Sequence, residues 1–110
     1  MNDDDLRKLQ GVGTARSFGS GQVLIERGMP GTGLYVVVEG RIVVETPDEG
    51  ALELGPGSVV GERALFSEDG LRQARVRAVT AGVVVAVERA EVDRLCAEDP
   101  EFAERLAHAS

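Results

Sequence analysis

The chain has 110 residues, enough for one domain with a modest core and with little room for a second. It carries a formal net charge of −7, with one lysine and eleven scattered arginines, so it offers nucleic acid or an anionic membrane no basic surface to bind. Its 43% apolar content is mostly valine, alanine and leucine with few aromatics, which together with 14 glycines points to an all-β barrel or sandwich of short strands and tight turns.

Residues 2–9 are polar with Leu6 and Leu9 three apart, which predicts a short N-terminal helix over residues 1–10 with Asp3 or Asp4 near its start. Gly11-Val12-Gly13 breaks it. Strand-like runs then come at short spacing, at 15–18, 22–25, 34–38, 41–45, 51–54 and 58–60. The strongest breaker chemistry of the first half sits between the second and third, at Gly28-Met29-Pro30-Gly31-Thr32-Gly33. Glu39-Gly40 reads as a hairpin tip with glycine supplying positive φ, and Pro47 to Gly50 and Gly55-Pro56-Gly57 read as further turns. Runs at 72–79 and 82–87, joined around Thr80-Ala81, read as a last strand pair. Such spacing predicts a closed or rolled antiparallel sheet across 14–88. Helical signals return in 89–110: Val92, Leu95 and Cys96 form one stripe, and Asp99-Pro100 looks like an N-cap and first helical residue, with Phe102 and Leu106 on one side.

Several chemistries are excluded or disfavoured. A single cysteine, Cys96, rules out an internal disulfide and a multi-cysteine metal site, and its apolar stripe assigns it to packing. The one histidine, His108, falls near the C-terminal end and is expected in solvent, which leaves neither a histidine metal cluster nor a Ser-His-Asp triad. Paired glycines at 11/13, 31/33 and 55/57 lack the third glycine and helix of a dinucleotide fingerprint, and are turn glycines. Asp3-Asp4-Asp5 reads as a solvated helix start rather than a cation site. There is neither an apolar leader-like start nor a run of transmembrane length, so a cytoplasmic domain without membrane contact is expected.

The informative stretch is Gly61 to Val76. Along 72–79, Arg72, Ala74, Val76 and Ala78 share the small, apolar face that should point inward, while Arg75 and Arg77 face solvent. Arg72 on the inner face needs a partner, because an isolated buried charge costs several kcal/mol in order of magnitude. That partner is either a protein carboxylate such as Glu62 or an anionic ligand, and parity alone leaves both open. Upstream, Gly61-Glu62-Arg63-Ala64-Leu65-Phe66 can form one helical turn, with Gly61 and Ala64 small enough for close approach to the backbone. A phosphate between that turn and Arg72, with Glu62 accepting from a sugar hydroxyl, describes a nucleotide.

Gly61-Glu62-x-Ala64-Leu65-Phe66 followed by Arg72-x-Ala74 resembles the phosphate-binding cassette of cyclic nucleotide-binding domains, including the Ser67 to Leu71 insert and Val76-Arg77-Ala78. Phe18-x-x-Gly21-x-x-Leu24-Ile25-x-x-Gly28 and Leu34-Tyr35-Val36-Val37-x-x-Gly40 are also similar to the family's strand and turn pattern, so the resemblance covers nearly the whole chain. It implies a mainly β fold, an antiparallel β-roll or jelly roll with short flanking helices, as a single domain over 1–110. It further implies a non-catalytic regulatory module without cofactor that binds cyclic AMP or cyclic GMP. Arg72 would pair with the cyclic phosphate, Glu62 with the ribose 2′-hydroxyl, and groups around Gly61, Arg63, Ala64 and Gln73 would complete the shell; an effector protein or a second copy is the expected partner. Gln73 stands where relatives often have Ser, Thr or Ala, Val60 replaces a common phenylalanine and Ser58 a common aspartate. The final helix, at 100–107, is shorter than the one that often covers the purine. The competing expectation is a β-roll interaction domain that no longer binds nucleotide, and an enzyme is the remotest, since no acid–base or nucleophile constellation is visible.

Overall fold

The structure is a computed structural model in which residues 1–109 are described. A helix, α1 (Asp3–Gly11), leads into β1 (Thr14–Phe18), β2 (Val23–Ile25), β3 (Gly33–Glu39), β4 (Ile42–Thr46), β5 (Gly50–Leu54) and β6 (Val59–Val60). A four-residue helix, α2 (Arg63–Phe66), precedes β7 (Arg75–Ala78) and β8 (Gly82–Glu88), and α3 (Arg89–Glu98) and α4 (Pro100–Ala107) follow. The strands form two four-stranded antiparallel sheets, ordered β1-β8-β3-β6 and β2-β7-β4-β5. This is the mainly β roll with short helices that the residues predicted.

Two expected strand pairings are not made. β3 pairs with β6 and β8, whereas β4 pairs with β5 and β7, so Glu39-Gly40 is a crossover between sheets and not a hairpin tip. The same holds at Thr80-Ala81, because β7 and β8 lie in different sheets. Turn chemistry was read correctly at Gly40, whose φ is +87°, but its partner is the other corner: a Cβ there would lie 2.6 Å from the Ala81 carbonyl oxygen. Arg41 N–H donates to Thr80 Oγ1 at 3.0 Å, and Val79 N–H to the Arg41 carbonyl at 2.9 Å. Two corners locked together send both chains from one sheet to the other. The Pro47 to Gly50 turn does close a hairpin, with β4 and β5 in register from Ile42↔Leu54 to Thr46↔Gly50.

Strand alternation sorts the core into two layers. Leu34 and Val36 of β3, Val59 of β6 and Val85 and Val87 of β8 meet the helical residues Leu9, Val92, Leu95, Phe102 and Leu106. From the opposite face of the same sheet, Val37, Val60 and Val84 meet Ile25, Ile42, Val76 and Ala78 of the second sheet. Asp99 Oδ1 caps α4 by accepting from Phe102 N–H at 3.2 Å, with Pro100 in the first turn, and Phe102 and Leu106 are fully buried as the spacing required.

Helix α1 begins at Asp3, with the aspartates in its first turn as expected, and is capped by Asn2, whose Oδ1 accepts from Asp5 N–H at 2.8 Å. The acidic run is not uniformly solvated. Asp5 is only 1% exposed and makes a bidentate pair with Arg105 of α4, at 2.7 and 2.9 Å. Hydrogen bonding from Arg105 holds the Asp5 carboxyl below the usual carboxylate range against the opposing effect of burial. His108 is exposed, as expected. Among the described residues no helix is long and apolar enough to cross a membrane.

Candidate functional site

A cavity of about 630 Å³ opens between the β4–β5 hairpin, the end of β6, α2 and the segment before β7. That volume is within the roughly 300–1,000 Å³ of small-molecule sites. Gly61, Glu62, Arg63, Ala64, Arg72 and Gln73 all line it, so the structure brings all six sequence-predicted positions to one surface.

Gly61 begins the site. Its φ of +89° turns the chain sharply out of β6, a conformation that glycine adopts without penalty. Its carbonyl oxygen accepts from Arg72 Nη1 at 2.7 Å, and a Cβ at this position would sit 2.5 Å from the same nitrogen. Glycine is thus favoured by the turn, and a side chain here would also displace the arginine that closes on it. Glu62 follows at the N-cap of α2, 2% exposed, and Ala64 and Leu65 of the same turn are buried. Ala64 leaves no room for a side chain at Gly31, where an added Cβ would overlap the Ala64 Cβ.

Arg72 is 9% exposed and points inward as parity predicted, but it is not in a strand. Strand β7 begins only at Arg75; the backbone of Arg72 is held by the glycine-rich loop instead. Arg72 N–H donates to the Met29 carbonyl and Gly28 N–H to the Arg72 carbonyl, each at 2.8 Å, while Gly31 N–H donates to the Gly70 carbonyl at 2.8 Å and Pro30 bridges Leu71. This strap fixes both the height and the inward aim of the guanidinium. Burial lowers the Arg72 pKa from the ordinary arginine value, and neighbouring Tyr35 and Glu62 act in the opposite direction. A guanidinium keeps its charge in proteins. Of the two partners that parity left open, the hydrogen bond present is to a third, the Gly61 carbonyl; Glu62 is close enough to act electrostatically.

Sequence reasoning missed the apolar wall of the cavity, to which Ile25, Val44, Leu52 and Leu54 contribute. Its signal was the β4–β5 register, which sets Val44 opposite Leu52. Leu52 is 62% exposed, a large apolar side chain presented at the cavity rather than packed. It also missed Glu49, which lines the rim and pairs with Arg63 at 3.5 Å. The chemistry assembled is a buried cation and a buried carboxylate beside an apolar wall. It suits a ligand with an anionic group, a hydroxyl and a flat apolar body. Among the described residues no three His, Cys, Asp or Glu side chains converge as a metal site would need. Burial pushes the Cys96 thiol up, which keeps it a weak nucleophile.

The family model of the cyclic nucleotide-binding domain matches residues 15–99, and the chain belongs to that family. It is 40% identical over 90 residues to a cyclic nucleotide-gated potassium channel of Mesorhizobium japonicum, covering 82% of this chain and 24% of the channel. It is 32% identical over 88 residues to the cAMP-dependent protein kinase regulatory subunit of Dictyostelium discoideum, covering 73% of this chain and 27% of the subunit. The chain thus spans about a quarter of the length of these curated relatives. Among solved structures, one from work on a cyclic-GMP-dependent signalling pathway in bacterial phytopathogenesis superposes with a TM-score of 0.84 at 29% identity, over 98% of this chain and 89% of the other. The catabolite activator protein of Thermus thermophilus superposes with a TM-score of 0.80 at 26% identity, over 98% of this chain and 53% of that one.

Proposed function

We propose that residues 1–110 form a single non-catalytic regulatory module that binds a cyclic nucleotide, cyclic AMP or cyclic GMP, in the cavity beside α2. The observation that carries this reading is that two buried side chains of opposite charge, Arg72 and Glu62, line one apolar-walled cavity. Arg72 holds the cyclic phosphate and Glu62 accepts from the ribose 2′-hydroxyl. Gly61, Arg63, Ala64 and Gln73 line the phosphate end, and the base lies on Val44, Leu52 and Leu54. The relatives' names point to both nucleotides, one to cyclic AMP and one to cyclic GMP. Binding works by favouring one arrangement of the terminal helices over another, which a partner protein, a second copy or further sequence then reads. The net charge of −7 supports a domain that does not itself contact nucleic acid or an anionic membrane, and a cytoplasmic setting agrees with the supply of such ligands.

Calorimetric titration with each nucleotide tests this. Saturable heat with either supports the reading, and no binding at millimolar ligand defeats it.

A second reading is favoured by one observation. Arg72 already donates to the Gly61 carbonyl, so the arginine also serves the fold. In that case the domain is a β-roll interaction module that has lost its ligand, and titration is silent with both nucleotides.

A further inference from the structure

We propose that Arg63 is a second ligand-contacting cation whose availability is set by Glu49, so that the phosphate of a bound nucleotide and the Glu49 carboxylate compete for one guanidinium. This rests on the reading of the cavity as a nucleotide site and adds a residue that sets its affinity.

The charges on the cavity wall carry the inference. Among the described residues four charged side chains line it, Glu49, Glu62, Arg63 and Arg72, and as side chains they cancel. They divide into two kinds. Glu62 and Arg72 are buried and fixed, at 2% and 9% exposure, with Arg72 tied to the Gly61 carbonyl. Arg63 and Glu49 are their exposed counterpart, with side chains 44% and 67% exposed and Nη1 to Oε1 at 3.5 Å. An anion entering a neutral set of charges gains little until one carboxylate gives up its arginine. The solvated pair surrenders it at small cost, because exposed ion pairs are weak and their side chains move freely.

The two arms of this pair are anchored differently. Glu49 sits in the β4–β5 turn, where its N–H donates to Thr46 Oγ1 at 3.0 Å and Gly50 follows at φ +78°, so its backbone holds the carboxylate at the rim. Arg63 opens α2, two residues after the Gly61 carbonyl that fixes Arg72. Its long, planar side chain is the adjustable one, and its fork of donors suits a phosphate as well as a carboxylate. Ligand binding therefore exchanges Arg63–Glu49 for Arg63–phosphate and frees the hairpin tip from α2.

Titrations of cyclic AMP and cyclic GMP into the wild type, Glu49→Gln, Arg63→Gln and the double variant test the exchange. Removing the competitor should tighten binding about two- to fivefold in Glu49→Gln, the range expected of an exposed ion pair. In the Arg63→Gln background the same change should have no effect, since there is nothing left to compete for. Two results overturn the inference while leaving the nucleotide site standing: wild-type binding with an unchanged affinity in Glu49→Gln, or equal tightening with and without Arg63, which would be a general effect of rim charge. Absence of binding in both the wild type and Glu49→Gln overturns the nucleotide reading and this inference together.

Discussion

At the scale of single residues, the site is built on a glycine as much as on its charges. Gly61 must adopt a left-handed φ and must leave room for Arg72 Nη1 on its own carbonyl. Gly61→Ala should therefore destabilise the fold by at least about 1 kcal/mol, the usual penalty of that conformation for a residue with a Cβ. Urea unfolding should show a lower midpoint with an unchanged slope, and an unaltered midpoint would contradict the geometry described for Gly61. Much at this scale was legible in the sequence. Parity along 72–78 assigned Arg72 inward and Arg75 outward, and both are so placed: Arg75 because Val76 and Ala78 turn the small face of β7 to the core, Arg72 because the loop at 28–31 holds its backbone. What parity could not show is that Arg72 lies beyond the strand. Its backbone partners are Gly28 and Met29, and hydrogen bonds between segments so far apart in the chain leave no mark on local periodicity. The burial of Glu62 was equally silent, since a carboxylate after a glycine reads the same on a surface turn.

At the scale of elements, the strands were legible to within a few residues, but at two corners their partners were not. Glu39-Gly40 and Thr80-Ala81 carry real turn chemistry, but a turn fixes only the local change of direction. Which strand lies alongside is decided by packing of the two corners against each other, Gly82 included, where a Cβ would overlap the Glu39 carbonyl oxygen. Helices show the same division. The stripes of α3 and α4 and the Asp99 cap of α4 followed from spacing and residue type, whereas the Asp5–Arg105 pair joins residues from opposite ends of the chain. That pair makes a prediction. Arg105 holds the Asp5 pKa lower in the folded state than in the unfolded chain, so its stabilisation is complete above the ordinary aspartate pKa of about 3.9 and is lost as pH falls through the lower folded value. Wild type should melt above Asp5→Asn at pH 7, and the difference should shrink as pH falls below about 4. A difference that stays constant down to pH 3 would mean that the carboxylate's charge is not what joins α1 to α4.

For the whole molecule, one sheet serves two purposes. Its outer face packs α1, α3 and α4, and its inner face joins the second sheet, whose β4–β5 hairpin overhangs the cavity. The terminal helices and the site thus share the strands between them, which gives ligand a physical route to the helices if it favours one of their arrangements. The central claim is that Arg72 is a ligand-binding cation in addition to its bond with the Gly61 carbonyl. Thermal denaturation of wild type and Arg72→Ala, each with and without nucleotide, tests it most directly. At a hundred times the dissociation constant, ligand should stabilise the wild type by about 2.7 kcal/mol. We predict that Arg72→Ala melts lower without ligand and loses most of the ligand-induced rise. A variant that is destabilised yet keeps the full rise, or a wild type that shows none, would contradict the account.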